Sequence, residues 1–341
     1  MRVLVLGGTG FMGHFLVHRL IAAGHRVTLL NRGVTPDAFG DRVDRVRVDR
    51  TKDDLAAALA GRELDAAVDF TAYREDDARA ALRAFGGDRV GQYVMISTGQ
   101  VYLVRDACPF PAREPDYDGP LCPEPADPVD RDSWAYGIGK RACEDVLAEA
   151  WDAARFPATR LRVPMVNGPR DPQRRIERYI ARMLDGGPLL VPDGGAHPVR
   201  HAYAVDVADA ILQILVTSHS RGQAYNFCQE EMPTLMELLT TLAEILGAWP
   251  RLVPAPSADL DAAGLDRVAL SPFSGRWMSL LDPARATSEL GLRHQPLRRY
   301  LETTVTCLLA HPSPDPLPGY DRRKDEIALA ERLTAPQGDP S

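Results

Sequence analysis

Met1-Arg-Val-Leu-Val-Leu-Gly7-Gly8-Thr9-Gly10-Phe11-Met12-Gly13 opens the chain, an apolar run that drives straight into spaced glycines. An amphipathic stretch, Phe15 to Ala23, follows, and Gly24 ends it. That order predicts strand, tight turn, helix. Gly8, Gly10 and Gly13 fit the G-x-G-x-x-G spacing of a dinucleotide turn, and Gly7, Gly10 and Gly13 fit the wider G-x-x-G-x-x-G. Glycines there let a pyrophosphate approach the backbone, while the N–H groups of the new helix face its charge. With Arg26–Leu30 reading as a second strand, a cofactor turn outweighs a plain one.

Outward from this motif, strands and helices alternate. Val43–Val48 reads as a third strand ending at Asp49, Asp53–Ala60 as a helix and Asp65–Phe70 as a fourth strand. Glu75–Phe85 reads as a helix and Gln92–Ile96 as a fifth strand. Such alternation predicts right-handed crossovers and a parallel sheet covered on both faces. Ligands then bind at the carboxyl ends of the strands, where Gly10, Asn31, Asp49, Thr71 and Ser97 fall. From Leu103 to Asp132 the pattern breaks into a proline-rich, acidic insertion. Both its ends are pinned beside the expected chemistry, so it reads as a substrate lid that orders on binding. A helix from Trp134 to about Ala154 and a strand Ala158–Pro164 follow. The C-terminal third mixes the strands Leu189–Val191 and Ala224–Phe227 with helices near Val205–Val216, Thr234–Leu246 and Pro296–Ala310. From His311 on, a proline-rich link and a charged helix, Asp321–Leu333, are expected on the surface.

Composition narrows the function. At 341 residues and 45% hydrophobic content, the chain can bury a large core. Its net charge of −7 argues against a general nucleic-acid binder, which needs a surplus of Lys and Arg to neutralise phosphates. No apolar run approaches a membrane span. The N-terminus starts inside a strand pattern, so no signal peptide and a cytoplasmic location are expected. Cys108, Cys122, Cys143, Cys228 and Cys307 are scattered and never form C-x-x-C, and the histidines lack ligand spacing, so no metal is expected.

Tyr136-Gly-Ile-Gly-Lys140 heads the helix after the insertion. Residues four apart share a helix face, and a cation beside a phenol favours the phenolate, so Tyr136 is a candidate proton donor or acceptor. Ser97-Thr98-Gly99-Gln100-Val101-Tyr102 closes the fifth strand and offers hydroxyls at the same edge.

The glycine motif, Ser97-Thr98-x-x-Val101-Tyr102 and Tyr136-x-x-x-Lys140 together resemble the extended short-chain dehydrogenase/reductase family, of the epimerase/dehydratase type. The resemblance covers roughly residues 1–310, continuing through Arg162-Val-Pro-Met-Val-Asn167-Gly168-Pro169, Ala204-Val-Asp206-Val-Ala-Asp209 and Gly222-Gln-Ala-Tyr225-Asn226. It implies an α/β fold: a Rossmann-type doubly wound parallel sheet with a smaller C-terminal α/β substrate-binding lobe. The expected division is residues 1–165 for the dinucleotide (with the insertion 103–132), 166–310 mainly for substrate, and 311–341 as a tail. The resemblance makes Tyr136 the acid/base, Lys140 its tuner and ribose contact, and Thr98 the partner of the substrate oxygen. It places the cofactor against Gly7, Gly10, Phe11, Met12, Gly13, Asn31, Arg32, Asp49, Arg50, Thr71, Ala72, Lys140, Pro164 and Val166. Tyr73, Asn167, Arg174 and Arg200 are the expected substrate contacts.

The departures from the family pattern are informative. Gly99 and Gln100 stand where its sugar dehydratases carry an acidic pair, which disfavours elimination of water. The arginine near Arg200-His201-Ala-Tyr203 is one residue out of register with the family's diphosphate ligand. Asn31-Arg32 replaces the acid that would bind both ribose hydroxyls, which favours NADP, with NAD as the alternative. The expected function is an NAD(P)-dependent oxidoreductase acting on a secondary alcohol or ketone, as a reductase or epimerase. The expected partner is a small sugar-like or natural-product molecule, with no membrane, no nucleic acid and a homodimer left open. The rival is a non-catalytic, dinucleotide-sensing or RNA-associated relative of the same fold, which members with an Asn-Arg-Gly turn like Asn31-Arg32-Gly33 suggest.

Overall fold

The computed structural model describes residues 1–335 and divides the chain into two compact units. The first comprises Met1–Val166, His201–Glu230 and Ser279–His294. It is built on strands β1 (Arg2–Leu6), β2 (Arg26–Asn31), β3 (Val43–Arg47), β4 (Ala66–Asp69), β5 (Gln92–Thr98) and β6 (Ala158–Val163). With the strand Ala224–Asn226 they form one seven-stranded sheet, in the order Ala224–Asn226, β6, β5, β4, β1, β2, β3. Every pairing in it is parallel. The sheet is therefore doubly wound about β1, as expected.

Alternation along β1 shows why both faces close. Val3 and Val5 face a core with Leu16, Val17 and Leu20 of helix α1 (Phe11–Ala22) and Ile211 and Ile214 of the helix Ala204–Leu215. Leu4 and Leu6 face the other way, into Ala78, Ala81 and Phe85 of the helix Glu75–Phe85 and Val146 and Leu147 of the helix Pro128–Ala154. All of these side chains are buried, and the helices cover the sheet as parallel crossovers require.

The expected division at 165/166 is continuous, whereas the first unit regains the segments 201–230 and 279–294. The reason is the pairing of Ala224–Asn226 with β6, which adds a strand from the C-terminal half to the sheet. The second unit, taken alone, comprises 167–200, 231–278 and the chain from Gln295 onward. It holds a two-stranded parallel pair, Leu189–Pro192 with Leu252–Ala255. The C-terminal helix, Arg323–Thr334, departs from the surface tail expected of it. Leu329 and Ala330 enter the core with Leu190, Val253 and Leu260, and Glu326 forms a buried ion pair with Arg182 at 2.6 Å. Burial at Arg323, Glu326, Leu329 and Ala330 follows a helical stripe that the charge-rich composition conceals. Residues 336–341 of the expected tail lie outside the described chain.

The insertion is also corrected, because its centre is packed into the first unit and is no free lid. Ala112 is fully buried and clusters with Val101, Tyr102, Cys228 and Leu281. Its backbone donates to the Leu280 carbonyl and accepts from Asp282 N–H, both at 2.8 Å. Buried Glu114 accepts from the Asn226 N–H at 2.7 Å, and the Tyr117 ring lies 3.7 Å from the Arg141 guanidinium. The last residues of the expected loop are helix: Asp127 caps Val129 and Asp130, and the helix starts at Pro128. Glu114→Ala is accordingly expected to lower unfolding stability by about 1–3 kcal/mol, since it orphans a buried N–H. A urea midpoint reads this, and nucleotide affinity should stay unchanged.

Candidate active site

Parallel strands bring the ends of β1 to β5 to one edge, and the candidate site assembles there. Among the turn glycines, Gly13 is fixed by packing: a Cβ on it would lie 2.5 Å from the Gly7 carbonyl oxygen. Gly10 is the opposite case, since nothing lies within 3.8 Å of the place its Cβ would take. Helix α1 then starts without a side-chain cap, so its first N–H groups face the turn. Gly7, Thr9 and Gly10 open onto a groove of about 1040 Å³ that runs past Asn31, Arg32, Asp49, Arg50, Thr71 and Tyr73. An open glycine cradle, a helix N-terminus and a long groove suit a dinucleotide, and the residues present fit one. Phe11 and Met12 are half-buried at the start of α1, Ala72 is fully buried, and Pro164 and Val166 are buried just beyond β6.

The trio Thr98, Tyr136 and Lys140 comes together in this unit. Thr98 ends β5 and accepts the Gln100 N–H at 3.2 Å, which leaves its hydroxyl hydrogen to point toward the neighbouring Tyr136 phenol. Lys140 is one helical turn past Tyr136 and almost fully buried. Its ammonium donates to the Ile96 carbonyl at 2.8 Å and sits 4.6 Å from the centroid of the Tyr73 ring, against 5.9 Å for Tyr136. Tyr73 thus joins the trio, its ring centroid 6.2 Å from that of Tyr136.

Electrostatics here departs from the expected phenolate. Tyr136 keeps 37% exposure as a residue, yet desolvation around its hydroxyl, reinforced by Tyr73, pushes the phenol up to about 12, against the Thr98 hydrogen bond. Desolvation likewise pulls Lys140 down to about 8, because burial disfavours its charged form. The lysine thus serves a carbonyl and a π face, and the tyrosine is held neutral.

Behind these groups stand two buried ion pairs that the motifs did not reveal. Asp69, fully buried at the end of β4, accepts from Arg50 at 2.8 Å, from Thr71 N–H at 2.7 Å and from Tyr93 at 2.9 Å. Burial alone would raise its pKa, but Arg50 and the Thr71 and Tyr93 donors hold it below the usual carboxylate range. Arg50 also donates to Thr71 Oγ1 and to the Asp77 carbonyl, so its guanidinium braces the strand ends while lining the groove. The second pair, Glu144 with Arg162 at 2.5 Å, holds the Ser97 hydroxyl behind Thr98 and engages Tyr102. For Asp69, a charged residue closing an apolar strand was the available signal.

The remaining candidates divide. Asp49 directs its carboxylate at Thr51, at 3.1 Å to the N–H and 2.7 Å to the hydroxyl, while lining the groove. Asn167 begins the second unit fully buried, its amide nitrogen and oxygen both without hydrogen-bond partners among the described residues. Arg174, in the same unit, pairs bidentately with Glu177 at 2.6 and 2.7 Å and donates to the carbonyls of Asp315 and Pro316. Its donors are committed to the protein. Arg200 is buried in that unit. Gly99 has a steric reason: a Cβ there would lie 2.5 Å from the Ser279 Cβ and 3.0 Å from Leu281, so no acid fits.

Comparison with known proteins agrees with this geometry. A 2'-dehydrokanamycin reductase of Streptomyces kanamyceticus is 28% identical over 287 residues, covering 83% of this chain and 77% of that protein. A chloroplast stem-loop binding protein of 41 kDa from Arabidopsis thaliana is 26% identical over 261 residues, covering 72% of this chain and 63% of that one. In fold, the chain is similar to dTDP-glucose 4,6-dehydratase of Bacillus anthracis, solved in complex with NAD, at a TM-score of 0.71 and 17% identity, covering 91% of this chain and 97% of that one. The model of the NAD-dependent epimerase/dehydratase family matches residues 3–228, and the chain belongs to that family of enzymes.

Proposed function

We propose that the chain is an NADP-preferring oxidoreductase that interconverts a ketone and a secondary alcohol on a sugar-like or natural-product substrate. The observation that carries this reading is the meeting of the Thr98 hydroxyl and the Tyr136 phenol beside buried Lys140, at the strand edge that bears the glycine turn. When bound, the nicotinamide supplies or accepts the hydride. Thr98 holds the substrate oxygen, Tyr136 delivers the proton to it, and Lys140 turns from the Ile96 carbonyl to the ribose and the phenol. Reduction is favoured as the net direction by the likeness to a reductase, and the closed space at Gly99 speaks against dehydration. The test is nicotinamide oxidation across a panel of keto-sugars and aminoglycoside ketones, and no turnover with any of them would remove the oxidoreductase reading.

NADP rests on Arg32, exposed in the groove, which makes no hydrogen bond or ion pair among the described residues and whose field helps hold Asp49 low. Arg32→Ala is expected to weaken NADPH by about 1.5 kcal/mol, roughly tenfold, and leave NADH unchanged. Equal losses for both would mean that Arg32 stacks on adenine. The likeness to a stem-loop binding protein favours RNA association as the second reading. A net charge of −7 and the intact trio stand against it, and a gel shift with stem-loop RNA decides.

A further inference from the structure

The end of β2 carries a detail that concerns which nucleotide fits. Asn31 sits there in register with Arg47 on β3. Its Oδ1 accepts two donors, the Gly33 N–H at 2.9 Å and the Arg47 guanidinium. Two donors on one atom fix the amide, because its NH₂ end could accept neither. Nδ2 is left as the end without a partner. Where an aspartate would offer acceptors to ribose hydroxyls, this strand end offers donors.

Arg47 is itself available for more. Its guanidinium lies flat against the turn, with Nε and Cζ 3.0 and 3.2 Å from the place a Gly33 Cβ would take. No carboxylate pairs with it within 4 Å among the described residues; the nearby Asp37 feels its charge but is bonded to Arg45. Arg32, immediately before Gly33 in the turn, is similarly without an ion pair among the described residues, and the facing carboxylate, Asp49, is engaged through Oδ1 by Thr51. One strand end therefore carries two guanidiniums and an oriented amide donor, and the carboxylate facing it, Asp49, spends Oδ1 on Thr51. A ribose 2'-hydroxyl needs an acceptor for its hydrogen, whereas a 2'-phosphate has acceptors only.

We propose that Arg47 is a specificity-determining residue for the nucleotide 2'-phosphate: it orients Asn31 as a donor and adds a second cation beside Arg32. This rests on the NADP reading above. The test is direct binding of NADPH and NADH, by fluorescence of the bound nucleotide, to the wild type, Arg47→Met and Arg47→Lys. Arg47→Met is expected to bind NADPH at least tenfold more weakly and NADH equally well or better, with Arg47→Lys between. Added salt should weaken NADPH binding less in Arg47→Met than in the wild type. Equal loss of both nucleotides in Arg47→Met, or no loss of either, overturns the proposal while the wild-type preference for NADPH still stands. A wild type that prefers NADH overturns the NADP reading first, and this proposal with it. A thermal midpoint within a few degrees of wild type confirms that the variants fold.

Discussion

Tyr136→Phe retains nucleotide affinity and loses turnover by roughly a hundredfold or more, the usual range for a lost general acid or base. The substitution removes only the hydroxyl that neighbours Thr98, while the ring keeps its place 6.2 Å from Tyr73 and near Lys140. Single-turnover kinetics with saturating nucleotide separate the chemical step from binding. A variant that turns over at wild-type rate would show that another group moves the proton, and Tyr73 is the only other phenol in this cluster. The same measurement has a pH signature. Desolvation holds Tyr136 up at about 12, so it stays a proton donor through the physiological range and does not limit reduction there. The alcohol-oxidising direction requires it to accept a proton, so that direction should accelerate as pH rises toward 12.

How much of this was legible in the sequence follows from the physics of each element. The strand–turn–helix of residues 2–22 was legible because three effects coincide: an apolar run, glycines that only this turn needs, and an amphipathic helix. Glu75–Phe85 could be bounded at both ends, with acids in its first turn and Gly86 beyond its last. The helix Pro128–Ala154 begins six residues before the Trp134 that its sequence pattern suggests, because a proline, usually a helix breaker, is favoured at the first helical position. The insertion was misjudged for a related reason: composition reports chain stiffness, while packing partners such as Leu281 and Asn226 lie more than a hundred residues away. Long-range ion pairs were invisible on the same ground. Arg50 and Asp69 follow or end different strands, β3 and β4, and only the parallel registers of β4 with β1, β1 with β2 and β2 with β3 bring their segments to one edge. The trio was the easier case, since i, i+4 spacing on a helix is local and the strand end next to it follows from the sheet order.

Lys140→Met makes the largest combined claim, because stability and activity should move in opposite directions. Lys140 is 2% exposed, without a carboxylate within ion-pair distance among the described residues, and desolvation lowers its pKa from 10.5 to about 8. The folded protein therefore holds this proton less tightly than the unfolded chain does. Below about pH 8 both states carry the charge and the folded state bears the full burial penalty; between about 8 and 10.5 the folded state sheds the proton first, so stability rises with pH across that window. A shift of this size corresponds to roughly 3 kcal/mol at neutral pH, of which a well-packed methionine should recover about 1–3 kcal/mol. The nucleotide-free variant should unfold at higher urea than wild type at pH 7, with the difference shrinking as the pH climbs through the window. Its turnover should fall by at least about a hundredfold and its nucleotide affinity should drop, as the role proposed for the amine toward the ribose and Tyr136 requires. A variant less stable than wild type at pH 7 would mean that the bonds to the Ile96 carbonyl and the Tyr73 ring outweigh the desolvation of the charge. An active variant would remove Lys140 from the reacting set altogether.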